Sequence, residues 1–288
     1  MAEGHGHNPL DHVMDQVFLD LPIGKLYLPT VAGQQMTRFM VMELIAATLI
    51  VLIVVPLARH VAKTRVSRGP FFNAFEAILL FIRDSVARPS IAGGHAEDHG
   101  HGHGHGHAHG VVPKNPADVY VPFLWTMFFF ILFNNLLGMF PGGASATGNI
   151  NVTGVLAVLT LGTVVVAGMR ASGPVGFFVN IVPPLDVPML MKPPLWALMF
   201  VIEISGLLIR HIVLAVRLFA NMLAGHIVLA VILGFAIQAS GFFRYIVAPA
   251  SVLGVVALSL LELLVAFLQA YIFTFLAALF IGSAAHPH

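Results

Sequence analysis

The chain has 288 residues, of which 58% are apolar and only 9% charged, where a soluble domain carries roughly 25% charged. So few charges cannot cover a water-facing surface, and a polytopic membrane protein is expected in place of two soluble domains. A net charge of +1 leaves no basic face for nucleic acid, and the lack of cysteine excludes disulfides and thiolate metal sites.

Met1-Ala2-Glu3-Gly4-His5 offers no basic stretch ahead of an apolar core, so no cleaved signal peptide is expected. Residues 1–36 are polar to amphipathic and form an N-terminal segment. The first span runs from Phe39 to Val55 within a segment of residues 37–58; its 17 residues suffice, and Pro56 and Arg59 close it. Residues 59–118 form a basic segment. The apolar piece inside it, Phe71 to Ile82, has only 12 residues and carries Glu76, which predicts an interfacial amphipathic helix. His95 to Gly110 is a low-complexity His-Gly run without an apolar face, read as a disordered loop.

Residues 119–283 form a helical bundle, followed by a short tail of residues 284–288. Its second span runs from Tyr120 to Phe140, stopped by Pro141-Gly142-Gly143, and its third from Val152 to Met169. A Pro-rich connection, Pro183-Pro184 to Pro193-Pro194, leads to two long apolar segments, Trp196 to Gln238 and Tyr245 to Ile281. As single helices each would be roughly 55–65 Å long against a hydrocarbon core of ~30 Å. Each is therefore broken into two spans or steeply tilted, and sequence alone leaves both open. Seven of the 14 Lys and Arg residues lie between Arg59 and Lys114. The positive-inside rule puts that loop in the cytoplasm and the N-terminus outside; with one crossing per long segment the C-terminus is cytoplasmic. Arg244 is the one dissenting charge.

The long segments contain Glu203, Arg210, His211, Arg217, His226 and Glu262. A charge in mid-membrane costs at least ~2.5–3.5 kcal/mol on insertion scales, and such groups face a bundle interior or an ion path. On a helix, Arg210 lies about 20° from Arg217, and Asn221 and Glu203 each lie about 40° away, so the four form one polar stripe. His226 points about 180° from Arg217 and sits ~13.5 Å along the axis, towards a different neighbour. Glu262 and Gln269 share a face of the last segment. A structural reading competes at every position: a carboxylate-paired arginine, a headgroup-level Glu203–Arg210 pair, interhelical hydrogen bonds from Asn221 and Gln269, and a buried His226–Glu262 pair. His211 has no clear role. Stripe and pair together exceed what packing requires and read as a proton relay.

Leu214-Ala215-Val216-Arg217-Leu218-Phe219-Ala220-Asn221-Met222-Leu223-Ala224-Gly225-His226 closely resembles the hallmark helix of subunit a of F-type ATP synthases. Leu268-Gln269-Ala270-Tyr271-Ile272-Phe273 resembles that family's second hallmark, and Asn134-Asn135-Leu136-Leu137-Gly138 and Asn151-Val152-Thr153 resemble two more. The resemblance covers residues 120–283. It implies an all-α integral membrane fold of five transmembrane helices, two of them long and tilted, plus one interfacial helix. It also implies a non-catalytic, proton-translocating stator subunit in a bacterial inner membrane. The implied partners are a c-subunit ring, peripheral-stalk b subunits, the remaining synthase subunits and membrane lipids. By resemblance Arg217 is the essential arginine separating two half-channels, Asn221 and Gln269 sit near the ring, Asn135 lines the outer half-channel, and Glu203 lies towards the cytoplasmic one, with Arg210 beside it. Many bacterial members have Glu nine residues after the arginine and His seven residues before the glutamine. Here His226 and Glu262 are exchanged, as in mitochondrial members, which keeps one carboxylate and one imidazole together.

The chain has no Gly-x4-Gly-Lys-Ser/Thr run, and Gly33-Gln34-Gln35 and Gly173-Pro174-Val175-Gly176 do not substitute for one, so no nucleotide is expected to bind. No cofactor is expected. Seven histidines from His95 to His109 could take zinc, nickel or copper, but spacing of two in a loop fixes no geometry. A tolerated insertion is the expectation there, and the same holds for His286 and His288. The coupling ion is expected to be the proton, since no cluster of oxygen ligands for sodium is present. The competing function is a proton-coupled secondary transporter, which predicts internal repeats and interrupted helices; neither is visible. A purely structural subunit leaves the Arg217–Asn221 stripe and Gln269 unexplained.

Overall fold

A computed structural model of the chain describes residues 18–21, 24–31, 34–64, 69–91, 115–140, 145–183, 188 and 191–285. The His-Gly run and the tail histidines lie outside them. The fold is all-α and membrane-type: five helices are long and apolar enough to cross a bilayer. Two small antiparallel hairpins precede them, β1 (Phe18–Leu21) with β2 (Gly24–Tyr27) and β3 (Thr30–Val31) with β4 (Gln34–Gln35).

Helix α1 spans Arg38–Thr64. Its apolar stretch ends at Arg59, but the helix continues past Pro56, which was expected to close it. One lost backbone bond does not terminate a helix that keeps its other bonds in an apolar medium. Helix α2 (Pro70–Phe81) is the expected interfacial piece, and it continues through a π turn, Ile82–Ala87, into α3 (Arg88–Ile91). Helix α4 spans Val121–Met139 and α5 spans Ile150–Ser172. Gly173, at φ +79°, ends α5 in a conformation that side chains resist, and Pro174 opens the short α6 (Pro174–Asn180), which the sequence pattern did not suggest.

The two long segments are each one unbroken helix, α7 (Lys192–Gln238, 47 residues) and α8 (Arg244–Ala285, 42 residues). Pro193 and Pro194 open α7, where a missing N–H matters least, and α8 runs through Pro249, six residues in, as α1 runs through Pro56. At 1.5 Å per residue these helices are about 63–70 Å long, so only a steep tilt keeps their apolar length within a ~30 Å core.

The chain divides into two compact units. The first comprises Met1–Ile53, Phe129–Leu156 and Leu214–Ala270. Its core includes Phe39 and Met42 of α1 with Ala146, flanked by Leu137 and Val152. Within it α7 and α8 run antiparallel: Gln269 reaches the Arg217 carbonyl, Glu262 meets Gly225 and His226, and Gly254 faces Ile232.

The second unit comprises Val54–Phe128, Ala157–Val213 and Tyr271–His288. Here the Trp125 indole donates to the Leu79 carbonyl at 2.9 Å, which fastens α2 to α4. Arg88 grips Asp118 through two bonds of 3.1 and 3.2 Å and also pairs with Asp84, while Arg83 pairs with Asp84. The Arg83 guanidinium holds the Asp84 carboxyl below the usual carboxylate range, and Arg88 does the same for Asp118. A side chain at Gly282 would run into the Ser90 carbonyl, so the glycine lets α3 and α8 close on each other.

Candidate functional site

In the first unit, helix geometry sets Arg217 and His226 on opposed faces of α7, nine residues apart. His226 meets Glu262 of α8, its Nδ1 lying 3.5 Å from Glu262 Oε1. That is an ion-pair distance, longer than a well-formed hydrogen bond. The carboxylate side chain is 8% exposed and the imidazole 21%. Glu262 packs directly on Gly225: a Cβ there would sit 2.7 Å from Glu262 Oε1, so the carboxylate would have to shift. Gly225 belongs to the site and escaped the sequence reading, although Ala224-Gly225 beside His226 marks a close helix approach.

Gln269 is buried, and its amide lies 3.5 Å from the Arg217 carbonyl, a long contact that ties α8 to α7 at the arginine. The Arg217 guanidinium itself is half-buried and pairs with no carboxylate among the described residues. Asn221, one turn on, is exposed, as are Val216, Ala220 and Ala224. Arginine and stripe thus open away from the chain's own interior, which disfavours the reading of Arg217 as a structural pair. On α8 the exposed neighbours are Leu261, Leu264 and Leu268.

Asn135 of α4 is fully buried in the same unit. Its Oδ1 accepts from the Thr147 hydroxyl at 2.6 Å, Thr147 lies 2.7 Å from Ser145 Oγ, and Asn135 Nδ2 lies 3.5 Å from the Ala266 carbonyl, one turn from Glu262. Gly138 makes the turn compact, since a Cβ there would come within 2.9 Å of the Ser145 backbone. Ser145 and Thr147 went unnoticed in the sequence because loop hydroxyls are common and their burial depends on how the chain folds back. Arg38, at the start of α1, is 1% exposed in the same unit; it too was missed.

In the second unit Glu203 and Arg210 share a cavity of about 390 Å³, walled also by Leu207 of α7, Ser172 of α5, Asn180 of α6 and Ser283 of α8. Glu203 is half-buried and Arg210 exposed, and they form no ion pair among the described residues. Seven residues apart on one helix, they line one cavity without pairing. His211, next to Arg210, is buried.

These features define a class: an all-helical integral membrane protein whose ionisable groups sit on two long apolar helices. A family model described as ATP synthase A chain matches residues 105–282. Similar proteins include ATP synthase subunit a of Chloroherpeton thalassium, 38% identical over 96% of this chain and 75% of that protein. ATP synthase subunit a 2 of Prosthecochloris aestuarii is 37% identical over 98% and 80% of the two chains, and ATP synthase subunit a of Myxococcus xanthus is 42% identical over 75% and 62%. The chain belongs to the ATP synthase A chain family. Members of this family are a non-catalytic, proton-conducting part of the synthase membrane sector.

Proposed function

We propose that this chain is the stator-side proton conductor of a rotary F-type ATP synthase, with Arg217 as the fixed charge between two half-channels. The observation that carries the reading is the contrast along α7. Among the described residues Arg217 pairs with no carboxylate, whereas His226 and Glu262 face each other at 3.5 Å. An arginine keeps its proton, so the carboxylate it serves comes from outside, on a c-subunit of the ring. Near Arg217 such a carboxylate is favoured in its ionised form. The same charge repels a hydrated proton passing straight from one half-channel to the other. Asn221 and the exposed apolar residues beside it form the face turned to the ring, with Gln269 buried behind it and tied to the Arg217 carbonyl.

Protons enter from the outer side through Asn135, Glu262 and His226. Imidazole suits that work because its charge changes near neutral pH. They leave through the cavity at Glu203 and Arg210. The N-terminus lies outside and the C-terminus in the cytoplasm of a bacterial inner membrane, the peripheral-stalk b subunits hold the chain against the torque of the ring, and nucleotide chemistry stays on other subunits. Ring rotation in one direction then couples proton entry to ATP synthesis, and in the other direction pumps.

The test compares wild type with Arg217→Ala in two assays: passive proton leak in vesicles carrying the membrane sector, and ATP-driven pumping by the whole complex. Loss of pumping together with leak is expected. Normal pumping would sink the reading.

A further inference from the structure

His211 lies in the second unit, and nothing in the proposed mechanism uses it. It is 2% exposed and its ring packs on Phe280, with centroids 5.2 Å apart. Its Nδ1 lies 2.8 Å from the Leu207 carbonyl. A carbonyl only accepts, so Nδ1 must carry a proton, and in the neutral ring Nε2 then presents a bare lone pair. That nitrogen is buried and has no hydrogen-bond partner among the described residues. A buried acceptor left open is costly, and a lone basic nitrogen in an apolar wall calls for an occupant.

The neighbours say which occupant. Leu207, whose carbonyl holds the ring, lines the Glu203–Arg210 cavity, and so does Ser283, whose hydroxyl donates to the Phe280 carbonyl. The imidazole is thus bonded to one wall residue, Leu207, and packs on Phe280, three residues before another, Ser283. We propose that His211 is a proton-exchanging site of that cavity: water from the cavity reaches Nε2, delivers a proton to it and takes one back, while Nδ1–H stays on Leu207. The step balances without any further reactant, since Nε2 gains the proton that hydronium loses and the ring alternates between imidazole and imidazolium. Of the elements walling the cavity, α7 brings Glu203 and Arg210, and α5 brings Arg170. Helix α6 and the Tyr271–Ala285 stretch of α8 bring no acid or base except Tyr271. Arg210 is the charge nearest the ring in sequence, and it opposes imidazolium, so protons held on His211 are brief.

This inference rests on the cavity being the cytoplasmic half-channel, and the experiment separates the two. In the whole complex labelled with nitrogen-15 histidine, His211 is assigned by comparison with His211→Gln, and its Nε2 signal is followed against pH and in deuterated water. Titration with rapid exchange at Nε2 is expected. A signal that neither titrates nor exchanges overturns the proposal, even if the cavity variants Glu203→Gln and Arg210→Gln slow proton flux. In parallel, His211→Phe, which fills the site without a base, should slow ATP-driven pumping by about tenfold, short of the ~10²–10⁴ of a directly acting base because the cavity water still conducts. His211→Gln, which keeps a polar end but cannot titrate, should show the same flat pH profile as His211→Phe. A wild-type rate and pH profile in both variants would also overturn it. If neither cavity variant changes flux, the half-channel reading fails on its own, whatever His211 does.

Discussion

In the unit that holds α7 beyond Leu214, polar groups meet directly: Thr147 on Asn135, Asn135 towards the Ala266 carbonyl, Glu262 against His226. In the other unit Glu203 and Arg210 stay apart and face a cavity of about 390 Å³. On the proposed reading a proton in the first setting passes between fixed groups, so each group and its position matter, while in the second it moves through water and single groups tune the passage. A relay of fixed groups fails at its weakest contact, whereas a wet cleft degrades gradually.

The sharpest way to break this comparison is to exchange the pair. His226→Glu with Glu262→His should restore much of the pumping that either single change removes, because the contact needs one carboxylate and one imidazole and not a particular owner. A double variant as poor as the worse single one would mean the two groups do not act together. Gly225→Ala comes next. Its methyl must displace the Glu262 carboxylate, and overpacking of this kind costs about 1–3 kcal/mol; pumping should fall strongly while the complex still assembles, and unchanged pumping would separate the carboxylate's position from its function. Glu203→Gln should have a smaller effect, a severalfold slowing of flux, since the cavity keeps its water. A loss as deep as that of Arg217→Ala would erase the contrast between the two units.

The smallest effect concerns the clamp at α3. Asp84 and Asp118 are held below the ordinary carboxylate range by Arg83 and Arg88. Their contribution to stability is therefore full above that range, near ~4, and is lost as pH falls through the lowered values. Both pairs are partly exposed, so solvent screening keeps the contribution small. Hydrogen exchange across Ile82–Ile91 should be slow at neutral pH and faster only in strong acid; acceleration beginning above pH 5 would assign the clamp to other groups.

Much of this was legible in the sequence, for physical reasons. Spans announce themselves by apolar length: the second and third came within three residues of their helices, while the first stopped nine residues short of the end of α1. Charges in such runs are rare enough to single out Arg217, His226 and Glu262. Whether α7 and α8 were broken was not legible in apolar length alone, because a long apolar run reads alike as one tilted helix or two upright ones; the family resemblance supplied the two long helices. Gly225, Ser145, Thr147 and Arg38 stayed hidden for another reason. Their part in the site comes from what a second segment brings against them, and periodicity along one helix carries no word of that. The cavity that Glu203 and Arg210 share has the same origin, since α5, α6 and α8 bring its other walls.

The π turn at Ile82–Ala87 has a consequence for how the chain can change length. Its closing bond, from the Arg88 N–H to the Arg83 carbonyl, takes in one residue more than an α turn would. A residue absorbed as a bulge leaves the faces before and after it aligned, here the Leu79 carbonyl on Trp125 and Arg88 on Asp118. The segment is thus a splice point: one residue can be removed between two anchors that both keep their aim. Almost anywhere else in these helices, losing a residue would turn everything beyond it by about 100°.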